Sequence, residues 1–123
     1  MITADGEAPR RAILIEDDDG VRRSLQLLLH WHGFDVRSFA SALRLLGSPL
    51  VWDADVLVAD YRLPDGNGID VLRELRRQGW SGRSVLITAF PSDDLIREAK
   101  ESGYDTVLVK PLREQALIAA LAA

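Results

Sequence analysis

Acidic side chains directly follow two short apolar runs of the sequence. Residues 12–15 are followed by the four carboxylates Glu16, Asp17, Asp18 and Asp19. A later apolar run, residues 54–59, is followed by Asp60. Neighbouring carboxylates do not all remain ionised unless a cation neutralises them, and Mg²⁺ prefers carboxylate, water and phosphate oxygens. If folding brings Glu16, Asp17 and Asp60 together, we expect them to form a magnesium site.

Two further polar residues follow apolar runs later in the chain. Thr88 comes after residues 84–87, and Lys110, which precedes Pro111, comes after residues 105–109. A lysine supplies a fixed positive charge, and a threonine supplies a hydroxyl donor. Together with a divalent metal ion and an oxygen nucleophile, these groups are the parts of a phosphoryl-transfer site.

Five short apolar runs alternate with segments of helical periodicity. The runs are residues 12–15, 34–39, 54–59, 84–87 and 105–109. Four are nearly continuous, which is typical of strands buried on both faces, whereas the second alternates with charged residues, as an edge strand does. Strands joined by helical crossovers are parallel. The pattern predicts an α/β fold, a three-layer doubly wound (βα)5 sandwich of the flavodoxin-like type, with strand order 2-1-3-4-5.

Capping residues and glycines mark the ends of the predicted helices. The expected helix starts are Asp19, Ser41, Asn67 or Gly68, Ser92 and Leu112. The first four helices are expected to end at Gly33, Gly47, Gly79 and Gly103, and the last at Leu121. In a doubly wound sheet, ligands bind beyond the carboxyl ends of the strands, near the point where the strand order reverses. The polar residues that terminate the runs are therefore expected to share one crevice.

Composition limits the possible domain organisation and partners. The chain has 123 residues, of which 47% are hydrophobic and 28% charged, as in a single globular domain. We expect residues 1–11 to form a flexible lead-in and residues 12–123 to form the domain. The 19 acidic and 15 basic residues give a net charge of -4, which disfavours direct binding of nucleic acid by this chain.

Cysteine and long apolar segments are missing from the sequence. The absence of cysteine excludes disulfides and thiolate metal sites. No apolar run approaches the length of about 20 residues that crosses a bilayer, and the first residues lack the apolar centre of a secretory signal. We therefore expect a cytoplasmic protein that does not associate with membranes.

Four segments of the sequence resemble the receiver domain of bacterial two-component response regulators. They are residues 13–25, 56–68, 86–89 and 109–111. The resemblance spans residues 12–121 and implies a receiver domain over residues 12–123. It implies that Asp60 accepts a phosphoryl group from a sensor histidine kinase or a histidine phosphotransfer protein. The implied ligands of Mg²⁺ are Glu16, Asp17, Asp60 and the backbone carbonyl of Arg62.

The resemblance also implies roles for the residues around Asp60. Lys110 would balance the charge of the aspartyl phosphate, and its peptide bond to Pro111 is expected to be cis. Thr88 would turn toward the phosphoryl oxygens and change the surface formed by the fourth helix, fifth strand and fifth helix. That surface would control an effector protein or an appended output domain, or form a homodimer. The chain would catalyse only its own phosphorylation and dephosphorylation, and so would not be an enzyme acting on other molecules.

The sequence departs from the receiver pattern in places, including Glu16, where the pattern often has aspartate. An aromatic residue often stands three positions before the lysine, where this chain has Val107, and Tyr104 lies nearby but out of register. Arg62 and Phe90 flank the predicted pocket. We expect their bulk to slow the removal of the phosphate by water.

Three other functions would use some of the same residues. A phosphatase of the haloacid dehalogenase type would use Asp17 and Asp19 on the first strand end, but would leave Asp60 without a role. A flavin-binding module shares the topology, but four consecutive carboxylates would repel the flavin phosphate. A degenerate receiver that acts as a constitutive interaction module would not need the acidic residues, threonine and lysine together.

Overall fold

A computed structural model describes residues 8–122 of the chain. Residues 1–7 of the predicted lead-in lie outside the described residues. The first strand begins at Arg11, one residue before the predicted start of the domain.

The main sheet contains five parallel strands. They are β1 (Arg11–Ile15), β2 (Asp35–Phe39), β3 (Val56–Asp60), β4 (Arg83–Thr88) and β5 (Thr106–Val109). Their spatial order is β2-β1-β3-β4-β5, so the strand order reverses between β1 and β3. The predicted fold class and strand order are confirmed.

Five helices connect and cover the strands. They are α1 (Asp19–Trp31), α2 (Ala42–Leu46), α3 (Gly68–Arg77), α4 (Asp93–Ser102) and α5 (Glu114–Ala122). A short 3₁₀ helix, Pro49–Asp53, follows α2, and a small hairpin pairs Arg62–Leu63 with Gly66–Asn67 just after β3. Across residues 8–122, no helix combines the length and apolar character that spanning a membrane requires.

Some predicted helix boundaries were wrong by one or two residues. Asp18, not Asp19, caps α1, because its carboxylate accepts the Val21 N–H at 2.9 Å. The last helix begins at Glu114 instead of Leu112. Ser41, Asn67 and Ser92 are the N-caps of α2, α3 and α4 as predicted, and each accepts a backbone N–H three residues ahead.

The apolar core lies in two layers, one on each face of the sheet. Because neighbouring residues of a strand face opposite ways, Ile13 and Ile15 contribute to one layer while Ala12 and Leu14 contribute to the other. Helices α2, α3 and α4 cover the first layer, and α1 and α5 cover the second. The three central strands are buried except at Arg11 and Arg83, the first residues of β1 and β4.

The fifth strand was expected to be buried on both faces, and this prediction was wrong. Three of its residues are half-buried and Val109 is exposed. The reason is its place at the edge of the sheet, where only β4 pairs with it. The apolar side chains of β5 therefore form a partly exposed surface between α4 and α5.

Candidate functional site

The carboxyl ends of β3, β4 and β5 are held together by backbone hydrogen bonds just beyond the strands. The N–H of Tyr61 donates to the Ile87 carbonyl, and the N–H of Lys110 donates to the Thr88 carbonyl, each at 2.8 Å. Asp60 lies opposite Ile87 in the parallel register. The chain segments that contain the phosphoryl-transfer candidates are therefore fixed by the sheet itself.

Three predicted carboxylates converge at this edge of the sheet. Glu16, Asp17 and Asp60 each present an oxygen atom, and these atoms lie within 4.8 Å of one another. Glu16 and Asp60 are buried, with 2% and 8% of their surface exposed, whereas Asp17 is exposed. The site is thus a crevice that is closed on the protein side and open to solvent beside Asp17.

Lys110 reaches into the crevice from the far side. Its ammonium group donates to Asp60 Oδ2 at 2.9 Å and to Glu16 Oε1 at 3.1 Å. Partial burial works against the charged form of Lys110, but the hydrogen bonds to Asp60 and Glu16 outweigh it and raise the pKa of the ammonium. Lys110 therefore supplies a permanent positive charge to the two buried carboxylates. Its peptide bond to Pro111 is cis, as expected.

One lysine does not neutralise the crevice. Burial, together with the neighbouring Asp60 carboxylate, raises the pKa of Glu16 to about 7 despite the opposing effect of Lys110. The second oxygen of Glu16, Oε2, is buried and has no hydrogen-bond partner. An unpartnered buried carboxylate oxygen beside two further carboxylates is the donor set that a hard divalent cation requires. The residues of the crevice therefore fit Mg²⁺.

Thr88 is buried at the end of β4, with 3% of its surface exposed. Its hydroxyl oxygen accepts the N–H of Phe90 at 3.2 Å. A hydroxyl that accepts one hydrogen bond still has its own proton to donate. Thr88 is thus able to donate to a phosphoryl oxygen. The turn of Thr88 toward such an oxygen stays a prediction.

Arg62 and Phe90 form a pair above the strand ends. They follow Asp60 and Thr88 by two residues each, and the Arg62 guanidinium carbon lies 4.9 Å from the centre of the Phe90 ring. This distance is typical of a cation–π contact. The two side chains thus stack on each other, and their predicted position at the edge of the pocket stays a prediction. The role of the Arg62 carbonyl as a metal ligand stays a prediction.

The hairpin that follows Asp60 is anchored to the start of α2. The carboxylate of Asp65 accepts the N–H groups of Leu43 and Ala42, each at 2.9 Å, and these bonds lower the pKa of Asp65. The anchor restrains the loop that contains Arg62. Sequence analysis missed this role, because a carboxylate that caps a helix 22 residues earlier leaves no local pattern.

The sequence matches the family model of the response regulator receiver domain over residues 12–122. The chain belongs to this family. The nodulation protein W of Bradyrhizobium diazoefficiens is 35% identical to the receiver domain over 119 residues, which cover 95% of this chain and 52% of the relative. The transcriptional regulatory protein FixJ of Azorhizobium caulinodans is 34% identical over 110 residues, covering 89% of this chain and 52% of that protein. The chain thus spans about half the length of these two relatives.

A solved structure supports the fold of the receiver domain. The Vibrio cholerae chemotaxis protein CheY4 superposes with a TM-score of 0.86 at 22% sequence identity, covering 94% of this chain and 98% of that protein. At this level of identity the likeness shows the fold alone.

The haloacid dehalogenase alternative is not supported. It requires Asp17 and Asp19 to act together, but Asp19 belongs to the first turn of α1 and its side chain is 90% exposed. The Asp19 carboxylate is bound instead by the Arg22 guanidinium at 2.6 Å. The acidic cluster of the receiver domain contains Asp60 in its place.

Arg22 is a residue of this region that sequence analysis missed. Besides contacting Asp19, its guanidinium donates to the backbone carbonyl of Glu16 at 2.9 Å. The side chain therefore ties the start of α1 to the end of β1. A contact to a backbone atom six residues away follows from the loop conformation and not from residue type, so no sequence pattern predicts it.

Proposed function

We propose that the receiver domain accepts a phosphoryl group on Asp60 from a phosphohistidine of a sensor histidine kinase or a histidine phosphotransfer protein. The observation that supports this most is the placement of Asp60. Its carboxylate is buried, hydrogen-bonded to Lys110 at 2.9 Å, and part of a three-carboxylate cluster. A nucleophile fixed between a cation and a metal-binding site is arranged for phosphoryl transfer.

The proposed reaction forms one bond and breaks one. An oxygen of Asp60 attacks the phosphorus atom while the phosphorus–nitrogen bond to the donor histidine breaks, and the imidazole nitrogen keeps the electron pair. A proton on the other ring nitrogen makes imidazole a neutral leaving group. Lys110 stays protonated and balances the charge on the phosphoryl oxygens, and the Thr88 hydroxyl donates to one of them.

Glu16, Asp17, Asp60 and the Arg62 carbonyl are the residues that would hold Mg²⁺. When bound, the ion would neutralise charge that develops on the transferring phosphoryl group. Glu16 and Asp60 are held in place by Lys110, so the buried part of the ligand set is ordered by the chain itself. Asp17 completes the set from the solvent side.

The proposed output is a change in the surface of α4, β5 and α5. Thr88 ends β4 and its carbonyl binds the Lys110 N–H after β5, so a movement of Thr88 acts directly on this edge of the sheet. We propose that the surface controls an effector protein or an appended output domain, with homodimerisation as a further prediction. The proposed covalent chemistry takes place only on the chain's own Asp60. The cytoplasmic location of the protein stays a prediction.

Phosphate uptake from a small donor tests this function. Incubation with acetyl phosphate and Mg²⁺ is expected to raise the mass of the protein by one phosphoryl group, which intact-mass spectrometry detects. Chelation of the metal should reduce the labelling rate by at least about a hundredfold, because several kcal/mol of charge stabilisation are lost. Equal labelling in the presence and absence of Mg²⁺ would contradict the proposed site.

The stack of Arg62 on Phe90 is expected to prolong the lifetime of the phosphate. Two bulky side chains beside the crevice limit the approach of water in line with the phosphorus–oxygen bond. The double variant Arg62→Ala, Phe90→Ala should therefore lose phosphate several-fold faster than the wild type, with decay followed by intact mass after the donor is removed. Faster loss from the wild type would refute the shielding role. Arg97→Ala, on the exposed face of α4, is the control.

A further inference from the structure

Tyr104 is a buried polar residue that the proposed reaction does not use. It lies between α4 and β5 with 3% of its surface exposed, and its hydroxyl donates to the Gly68 carbonyl at 2.6 Å. Burial raises the pKa of the phenol, so the hydroxyl remains a donor throughout the physiological range. The bond joins positions 36 residues apart in the chain and connects the α4–β5 junction to the first turn of α3.

Gly68, the acceptor of this bond, is packed directly against the phosphoacceptor segment. A Cβ atom at Gly68 would lie 2.6 Å from the Asp60 carbonyl oxygen and 2.8 Å from Leu86 Cδ1. The Gly68 N–H also donates to the Tyr61 carbonyl at 2.8 Å. The first turn of α3 therefore rests on the main chain of Asp60 and Tyr61 without spare space, and a shift of one moves the other.

Tyr104 is itself firmly placed. Its N–H donates to the Ala99 carbonyl at 3.0 Å, and the preceding Gly103 ends α4 in the left-handed conformation with φ of 113°. Its side chain belongs to the core layer that also contains Leu72 and Leu86. A side chain fixed at both its backbone and its ring gives the hydroxyl one position, which is directed at the start of α3.

We propose that Tyr104 is a positioning residue for the phosphoacceptor, an inference that rests on the proposed function of Asp60. The Tyr104 hydroxyl holds the first turn of α3 against the Asp60–Tyr61 main chain. That contact keeps the Asp60 carboxylate in line with an incoming phosphoryl group. Since a bond of this kind shifts an equilibrium by up to about tenfold, its loss should lower the fraction of molecules with a correctly seated Asp60.

The variant Tyr104→Phe tests the proposal, because it removes the hydroxyl and keeps the ring. The rate of Asp60 labelling by acetyl phosphate at saturating Mg²⁺ should fall roughly three- to tenfold. Amide hydrogen exchange at Gly68 and Tyr61 should become faster by a similar factor. The exchange measurement detects local loosening beside Asp60 and does not depend on phosphorylation.

Ser84→Ala is the matched control. Ser84 is a buried residue whose hydroxyl donates to the Gly103 carbonyl at 3.2 Å, so this variant loses a hydroxyl bond at the same junction but keeps the Tyr104 bond to α3. The control should retain the wild-type labelling rate and the wild-type exchange at Gly68. Equal effects of the two variants, or unchanged labelling in Tyr104→Phe, would overturn the positioning role. If the wild type itself were not labelled, the proposed function would fail. Unchanged amide exchange at Gly68 in Tyr104→Phe would overturn the positioning role whether or not the wild type is labelled.

Discussion

Replacement of Asp60 by asparagine is expected to abolish labelling by acetyl phosphate, with a loss of at least about a thousandfold in rate. The side chain keeps its shape and size, but the neutral amide is a poor nucleophile and is a weaker ligand for Mg²⁺ than a carboxylate. Asp60 is the carboxylate to which the proposed function assigns the phosphoryl group, and Lys110 binds it at 2.9 Å. Intact-mass spectrometry after incubation with the donor measures the effect.

The control for this experiment lies beside the other end of the same strand. Asp55 immediately precedes β3, at the opposite end from Asp60, and its carboxylate accepts the Arg11 N–H at 2.7 Å. The variant Asp55→Asn should be labelled at the wild-type rate. Persistent labelling of the Asp60→Asn variant would exclude Asp60 as the acceptor and point to another carboxylate, such as Asp17. Denaturant unfolding of both variants establishes that each is folded.

The convergence of the acidic residues could be predicted from sequence, because it depends only on topology. Continuous apolar runs separated by helical segments require parallel strands, and parallel strands place their carboxyl ends at the same edge of the sheet. Asp60 and Lys110 are 50 positions apart in the chain, but Asp60 is the last residue of β3 and Lys110 directly follows β5. Their hydrogen bond therefore follows from the strand order, which the sequence predicted correctly.

The hydrogen bonds to backbone atoms around the crevice could not be predicted from strand order. From the sequence, Tyr104 is only an aromatic residue out of register, because its partner is the backbone carbonyl of Gly68 and backbone acceptors are not specified by residue type. The N-cap of α1 could not be predicted from residue type either. Asp18 and Asp19 are both good N-caps, and the choice between them depends on how the chain leaves β1, not on their propensities.

The burial of β5 was overestimated for a related reason. Its sequence, residues 105–109, ends in a continuous apolar run like those of the central strands. Periodicity does not distinguish such a buried strand from an edge strand whose surface contacts another molecule. The half-buried residues of β5 lie next to α4 and α5. This placement agrees with the proposal that the α4–β5–α5 surface contacts a partner.

Replacement of Lys110 by methionine is expected to have opposite effects on metal binding and on phosphorylation. The ammonium group occupies a position 2.9 Å from Asp60 and 3.1 Å from Glu16, where it attracts the same carboxylates that would bind Mg²⁺. Removing this charge eliminates the competition, so the affinity for Mg²⁺ should rise by roughly tenfold. Isothermal titration with Mg²⁺ measures this change.

Phosphorylation of the same variant should be slower. The charge that balances the three phosphoryl oxygens is lost, and the removal of one such electrostatic contact typically lowers a rate by about a hundred- to a thousandfold. A variant that binds the metal more tightly but transfers phosphate more slowly would separate the two roles of the crevice. Metal binding would then depend on Glu16, Asp17 and Asp60, and stabilisation of the transferred group would depend on Lys110.

The chain provides a matched control for this substitution. Lys100, the other lysine of the sequence, is exposed on α4, and Lys100→Met should leave both the Mg²⁺ affinity and the labelling rate unchanged. An unchanged Mg²⁺ affinity in Lys110→Met would mean that the lysine and the metal do not share the same carboxylates. A labelling rate near that of the wild type would mean that the charge on the phosphoryl group is balanced by other residues. Either result would require a different assignment of roles within the crevice, since both expectations follow from the position of one ammonium group between two buried carboxylates.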